Sequence, residues 1–121
     1  MKMIGYKFLL LCGFLTLTSC SNESTSDLLD TSLVENVTYS ENIKPIIEGK
    51  CLDCHGSPTD NGAIGSFTTY ETVKQYTQNN SIINRISREA GQSGFMPLGG
   101  TRLPQPTIDL IIKWRDQGCP E

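Results

Sequence analysis

The chain has 121 residues and a formal net charge of −3, with 10 lysines and arginines against 13 acids. That length argues for one domain at most. No basic stretch stands out, so the electrostatic footprint of a nucleic-acid partner is missing and none is expected.

The first 19 residues differ from the rest. Lys2 and Lys7 precede the apolar run Phe8-Leu9-Leu10-Leu11-Cys12-Gly13-Phe14-Leu15, and small residues follow it. A basic start, a short apolar core and a small-residue exit describe a secretory signal over residues 1–19. The run is shorter than the ~20 apolar residues that cross a bilayer. The segment closes on Leu17-Thr18-Ser19-Cys20. This resembles the lipobox of bacterial lipoproteins. The resemblance implies cleavage before Cys20, lipidation of its sulfur, and an exported protein anchored to a membrane of the cell envelope. One acyl chain holds weakly, and two or more make a stable anchor.

Residues 20–38 are rich in Ser, Thr, Asn and acids, including Glu23, Asp27, Asp30 and Glu35, with no lysine or arginine. They read as a flexible acidic linker. As coil it would span roughly 25 Å, and fully extended about 60 Å. The remainder, residues 39–121, holds eight basic and nine acidic residues and is close to neutral.

Four short helices are expected in that domain. The first covers 39–50, with Ile43, Ile46 and Ile47 at helical spacing and Ser40 as N-cap; Pro45 requires it to lie near the helix start. Gly56 to Ser66 is a loop, with Pro58 and Asn61-Gly62. The second helix runs from Thr68 to Gln78, where Thr68 and Glu71 form a capping box. Asn79-Asn80 ends it. The third covers Ser81 to Glu89, with Ser81 as cap and Ile82, Ile83 and Ile86 as its buried stripe. A glycine-rich loop, Gly91 to Gly100, contains Phe95-Met96-Pro97. The last helix runs from about Gln105 to Gln117, with Pro106 in its first turn, Ile108, Ile111, Ile112 and Trp114 as its apolar face, and Gly118 to stop it. No strand pattern occurs.

Between the first helix and the first loop lies Cys51-Leu52-Asp53-Cys54-His55. This is C-x-x-C-H, the attachment signature of a c-type haem. Two thiols three positions apart lie about one helical turn from each other and can each form a thioether to one haem. The histidine that follows is then an axial ligand to the iron. His55 is the only histidine in the chain, so a second protein histidine cannot bind the other side. Once the signal is removed, Met96 is the only methionine. It lies 41 residues beyond His55, directly before Pro97, which restricts the backbone there. A flexible thioether on a glycine-rich loop can reach the far face of a haem, and Met96 is the expected sixth ligand. Cys119 is left over, as a free thiol, an intermolecular partner, or a partner of Cys51 or Cys54 where no haem is attached.

Residues 39–121 resemble a small class I cytochrome c domain carrying one haem. The resemblance rests on Cys51, Cys54 and His55, on Gly94-Phe95-Met96-Pro97, and on a final helix with Trp114 before Gly118. The run Tyr39-Ser40-Glu41-Asn42-Ile43-Lys44-Pro45 is similar to single-haem domains of bacterial exported lipoproteins. The resemblance implies an all-α fold around one covalently attached haem c, with first and last helices packed across each other beside it. It departs from the family at Pro104-Gln105-Pro106, where Ser, Asp or Glu is usual.

His/Met ligation raises the potential of haem iron and leaves no open site for a substrate. The expected function is electron transfer without catalysis, to and from other redox proteins of a respiratory or envelope chain. Alternatives are a haem-based sensor that binds a small gas, or an accessory haem domain of a larger oxidoreductase. A structural zinc site would need a fourth ligand, from Cys119 or a carboxylate. A thioredoxin-like pair would need an α/β pattern that this chain lacks. Arg85, Arg88 and Arg102 could meet haem carboxylates or simply face solvent.

Overall fold

The structure, a computed structural model, describes residues 34–121. The expected signal over 1–19, the lipid site Cys20 and linker residues 20–33 lie outside the described residues. Within them the chain is helical, with no strand: a π-helical segment Tyr39–Ile43 is followed by α1 (Lys44–Lys50), α2 (Leu52–His55), α3 (Tyr70–Gln78), α4 (Ser81–Ile86) and α5 (Gln105–Asp116). No described helix is long and apolar enough to cross a membrane.

The first expected helix is broken into three. Thr38 caps it instead of Ser40: its hydroxyl accepts from Glu41 N, while the Asn42 side chain accepts from Thr38 N. The next amides reach five residues back, Ile43 N to Thr38 O and Lys44 N to Tyr39 O. This wider π spacing ends where Pro45, which has no N–H to donate, enters the first turn of α1. The chain then kinks at Cys51, and a single further turn, α2, carries Cys54 and His55.

The caps of α3 and α4 shift as well. Thr69 caps α3 through Thr72 N, and Thr68 does not. Both α3 and α4 are governed by Asn79-Asn80. Asn80 takes a left-handed conformation (φ 63°) that asparagine tolerates. The Asn79 side chain accepts from Ser81 N at 2.9 Å and so supplies the cap expected of Ser81. Helix α4 ends at Ile86, earlier than the Glu89 expected. Helix α5 begins after Pro104, whose carbonyl accepts from Thr107 N and Ile108 N, so backbone alone opens it.

The core lies on the buried face of α5. Trp114 has no exposed surface, and Ile108, Leu110 and Ile111 are nearly as enclosed. The π-helical segment, α3 and α4 all pack against α5. Tyr39 and Tyr70 lie against the Trp114 indole, with ring centroids 5.9 and 6.5 Å from it. The chain then turns back: Cys119 N bonds Trp114 O and Gly118 N bonds Arg115 O. That pair of bonds is a Schellman motif, and it requires the positive φ of Gly118 (85°). The turn delivers two carbonyls to the aromatic cluster. Cys119 O accepts from Tyr70 Oη at 2.7 Å, and Pro120 O accepts from Trp114 Nε1 at 2.8 Å and Tyr39 N at 2.9 Å.

The linker assignment over 20–38 needs correction at its end. Val37 is fully buried. Lys113 Nζ donates to Val34 O at 2.6 Å, and the Gln117 amide accepts from Val37 N and donates to Glu35 O. Residues 34–38 are therefore a strap on the C-terminal half of α5.

The three C-terminal carbonyl contacts predict a graded loss of stability. Tyr70→Phe should cost about 1 kcal/mol, the net value of one hydrogen bond. Deleting Cys119 to Glu121 should cost several times more, because buried donors on Trp114, Tyr70 and Tyr39 lose their acceptors. Urea denaturation read by Trp114 fluorescence measures both, and an unchanged midpoint in the truncated chain would show that the contacts contribute nothing.

Candidate cofactor site

On the other side of α3 and α4 the chain leaves a cleft of about 470 Å³. That is within the ~300–1,000 Å³ range of small-molecule and cofactor sites. Cys51, Cys54, His55 and Met96 all line it. The sequence-expected residues of the described region are thus brought together; Cys20, the remaining one, lies outside that region. Most of the wall is apolar, with Phe67, Ile82, Ile86 and Leu103 among its residues. Lys50, Asp53 and Arg85 add charge at exposed positions.

His55 is held from three directions. Its Nδ1 lies 2.8 Å from Gly65 O. A carbonyl only accepts, so Nδ1 carries the proton and Nε2 keeps its lone pair for a metal. The imidazole stacks on Phe67 with centroids 4.3 Å apart and planes within 9°. Phe67 N in turn donates to His55 O at 2.8 Å. Tyr76 completes the arrangement. It meets Phe67 edge-on at 5.3 Å, and a Cβ on Gly65 would lie 2.6 Å from its hydroxyl. Gly65 must therefore be glycine, both for that approach and for its φ of 87°.

The loop from Gly56 to Phe67 is tied to α2 at both ends. Asp60 N takes Cys54 O, and Phe67 N takes His55 O, which satisfies two carbonyls left open by so short a helix. Asn61 Nδ2 approaches Cys54 Sγ at 3.5 Å. The sequence reading missed Gly65, Phe67 and Tyr76. Phe67 and Gly65 sit in a loop without periodicity, and Tyr76 falls off the α3 stripe marked by Val73 and Thr77.

The three described thiols are free. Burial pushes the Cys51 thiol up to about 11 from 9.0. Burial also raises Cys119, against the opposing charges of Lys74 and Arg115. Cys119 is fully buried and does not line the cleft. Among the described residues, no three Cys, His, Asp or Glu side chains gather closely enough to hold a bare ion. The donors are instead spread around a large apolar volume. They suit a broad, mostly apolar group that brings its own metal and two points of covalent attachment.

No protein-family model, curated protein or solved structure matches the chain.

The raised Cys51 thiol has a direct chemical readout. At pH 8 a group titrating near 11 holds about a hundredfold less thiolate than one at 9.0, and thiolate is the nucleophile. In the folded protein with free thiols, iodoacetamide should modify Cys51 about a hundredfold more slowly than in urea. Peptide mass spectrometry follows the site, and equal rates in the two states would refute the burial assigned to it.

Proposed function

We propose that the chain is a monohaem c-type cytochrome of the class I kind, an electron carrier rather than an enzyme, tethered by lipid to a membrane of the cell envelope. The observation that carries this reading is the convergence of Cys51, Cys54, His55 and Met96 on one apolar cleft. Its partners are other redox proteins of a respiratory or envelope chain. The tether is inferred from Leu17 to Cys20 in the sequence.

When bound, a c-type haem supplies a one-electron iron couple whose potential His/Met ligation raises. Cys51 and Cys54 would hold it through thioethers. His55 offers Nε2 because Gly65 O occupies the other nitrogen. That hydrogen bond also fixes the orientation of the ring. Met96 offers its sulfur from a separate loop. Ile82, Ile86, Phe67 and Leu103 line the cleft and would surround such a group with apolar side chains, a shell that shifts a redox potential. Held by His55 and Met96, such a group would exchange electrons without taking a substrate.

Protein matured with its cofactor should keep a covalent haem stain on a denaturing gel, and Cys51→Ala/Cys54→Ala should lose it. No stain in the unaltered protein would end this reading. Met96→Ala should lower the potential and let carbon monoxide bind the reduced iron readily. Were neither property to change, Met96 would not be the ligand. Rapid carbon monoxide binding by the unaltered protein would favour a gas-binding role over electron transfer.

A further inference from the structure

Methionine is unbranched, with three rotatable bonds. Where its sulfur rests depends on how firmly its backbone is held. The loop bearing Met96 is rich in glycine, with positive φ at Gly91, Gly94 and Gly99. It is nevertheless attached to the end of α4 by two neighbouring arginines. Arg85 acts twice: its backbone carbonyl accepts from Met96 N at 3.2 Å, and its Nη1 donates to Gly94 O at 3.3 Å. Arg88 Nη1 donates to Ser93 O. Two successive loop carbonyls thus face two guanidinium groups.

Gly94 reports how closely these groups approach. Its φ is 75°, and a Cβ there would run into Arg88 Nη1 and lie 2.9 Å from Arg85 Nη1. A side chain at residue 94 would have to displace both guanidinium groups from their present places. Phe95, between Gly94 and Met96, is buried and gives the loop a second hold. Among the described residues neither Arg85 nor Arg88 forms a salt bridge, whereas Arg102 pairs with Glu89.

We propose that Arg85 and Arg88 are positioning residues, a clamp on the Ser93 and Gly94 carbonyls that sets where the Met96 sulfur stands in the cleft. The proposal rests on the reading of Met96 as an axial ligand. Guanidinium suits the task because it presents several N–H donors in a fixed plane and stays charged at every working pH. Each clamp bond uses one Nη1 of a guanidinium that has several donors, and Arg85 also lines the cleft.

The test uses the full, haem-loaded chain with Arg88→Gln, Arg85→Gln and the double variant. Loss of one hydrogen bond to a charged donor should raise the population of the open loop on the order of tenfold. Carbon monoxide binding to the reduced protein, which requires Met96 to leave, should accelerate by that factor. Hydrogen exchange at the Phe95 and Met96 amides should rise in parallel, with the α5 amides unchanged. Arg88→Lys, which keeps a charged donor, should recover most of the effect. Gly94→Ala should imitate the double variant by displacing both guanidinium groups. Unchanged gas binding and exchange in the double variant would overturn the clamp, and so would equal acceleration throughout α5, which would mean general destabilisation. The ligand reading fails separately, if Met96→Ala leaves carbon monoxide binding as it was. Amide exchange needs no haem and would still decide whether the arginines hold the loop.

Discussion

The hydrogen bond from His55 Nδ1 to Gly65 O is the constraint on which the site depends. A single-turn helix does little to orient the histidine at its end. Here that orientation comes from a loop ten residues further on, which supplies a carbonyl for one nitrogen and the Phe67 ring for one face. The loop in turn closes only because Gly65 allows Tyr76 to approach within a distance that any side chain would block. Helix α3 thus reaches the imidazole through two intermediaries, Gly65 and Phe67.

The molecule divides its work between two regions. One surrounds Trp114, where three aromatic residues grip the carbonyls of Cys119 and Pro120 and α5 has its most buried face. The other is the cleft, whose walls are apolar but enclose about 470 Å³ that the chain itself does not fill. A chain of this length buries a modest fraction of its surface. Unfilled apolar space forgoes dispersion contacts as well as burial. The dense region around Trp114 offsets that cost. In the proposed holoprotein, a covalently held haem would occupy the cleft as part of the core.

Much of this organisation is legible in the residues. Helix α5 is readable to within a residue because its apolar spacing, its proline and its glycine agree. Cys51, Cys54 and His55 announce themselves by spacing, and Met96 by being the only methionine beyond Met3. Misreadings arise where two neighbouring residues are chemically equivalent. Thr68 and Thr69 compete to cap α3, and only the turn geometry selects Thr69. At Ser81 the better cap is an asparagine side chain two positions earlier. Strap residues 34–38 look like linker because only Val37, with Val34 partly, carries their burial, while backbone bonds to Lys113 and Gln117 do the rest. Tyr76 and Gly65 were hidden for a different reason: each matters only through the other, across a loop with no period.

The strap has a mechanical consequence. The described chain begins at Val34, and its first residues are bonded to Lys113 and Gln117 on the flank of α5. No residue of 34–49 or of 104–121 lines the cleft. A pull along the N-terminal segment is thus borne in shear by bonds between the strap and α5, and passes into the part of the domain packed around Trp114. The walls that hold Cys54, His55 and Met96 lie off that line of force. Load that enters at residues 34–38 is thus carried by the region around Trp114, away from the side chains that line the cleft.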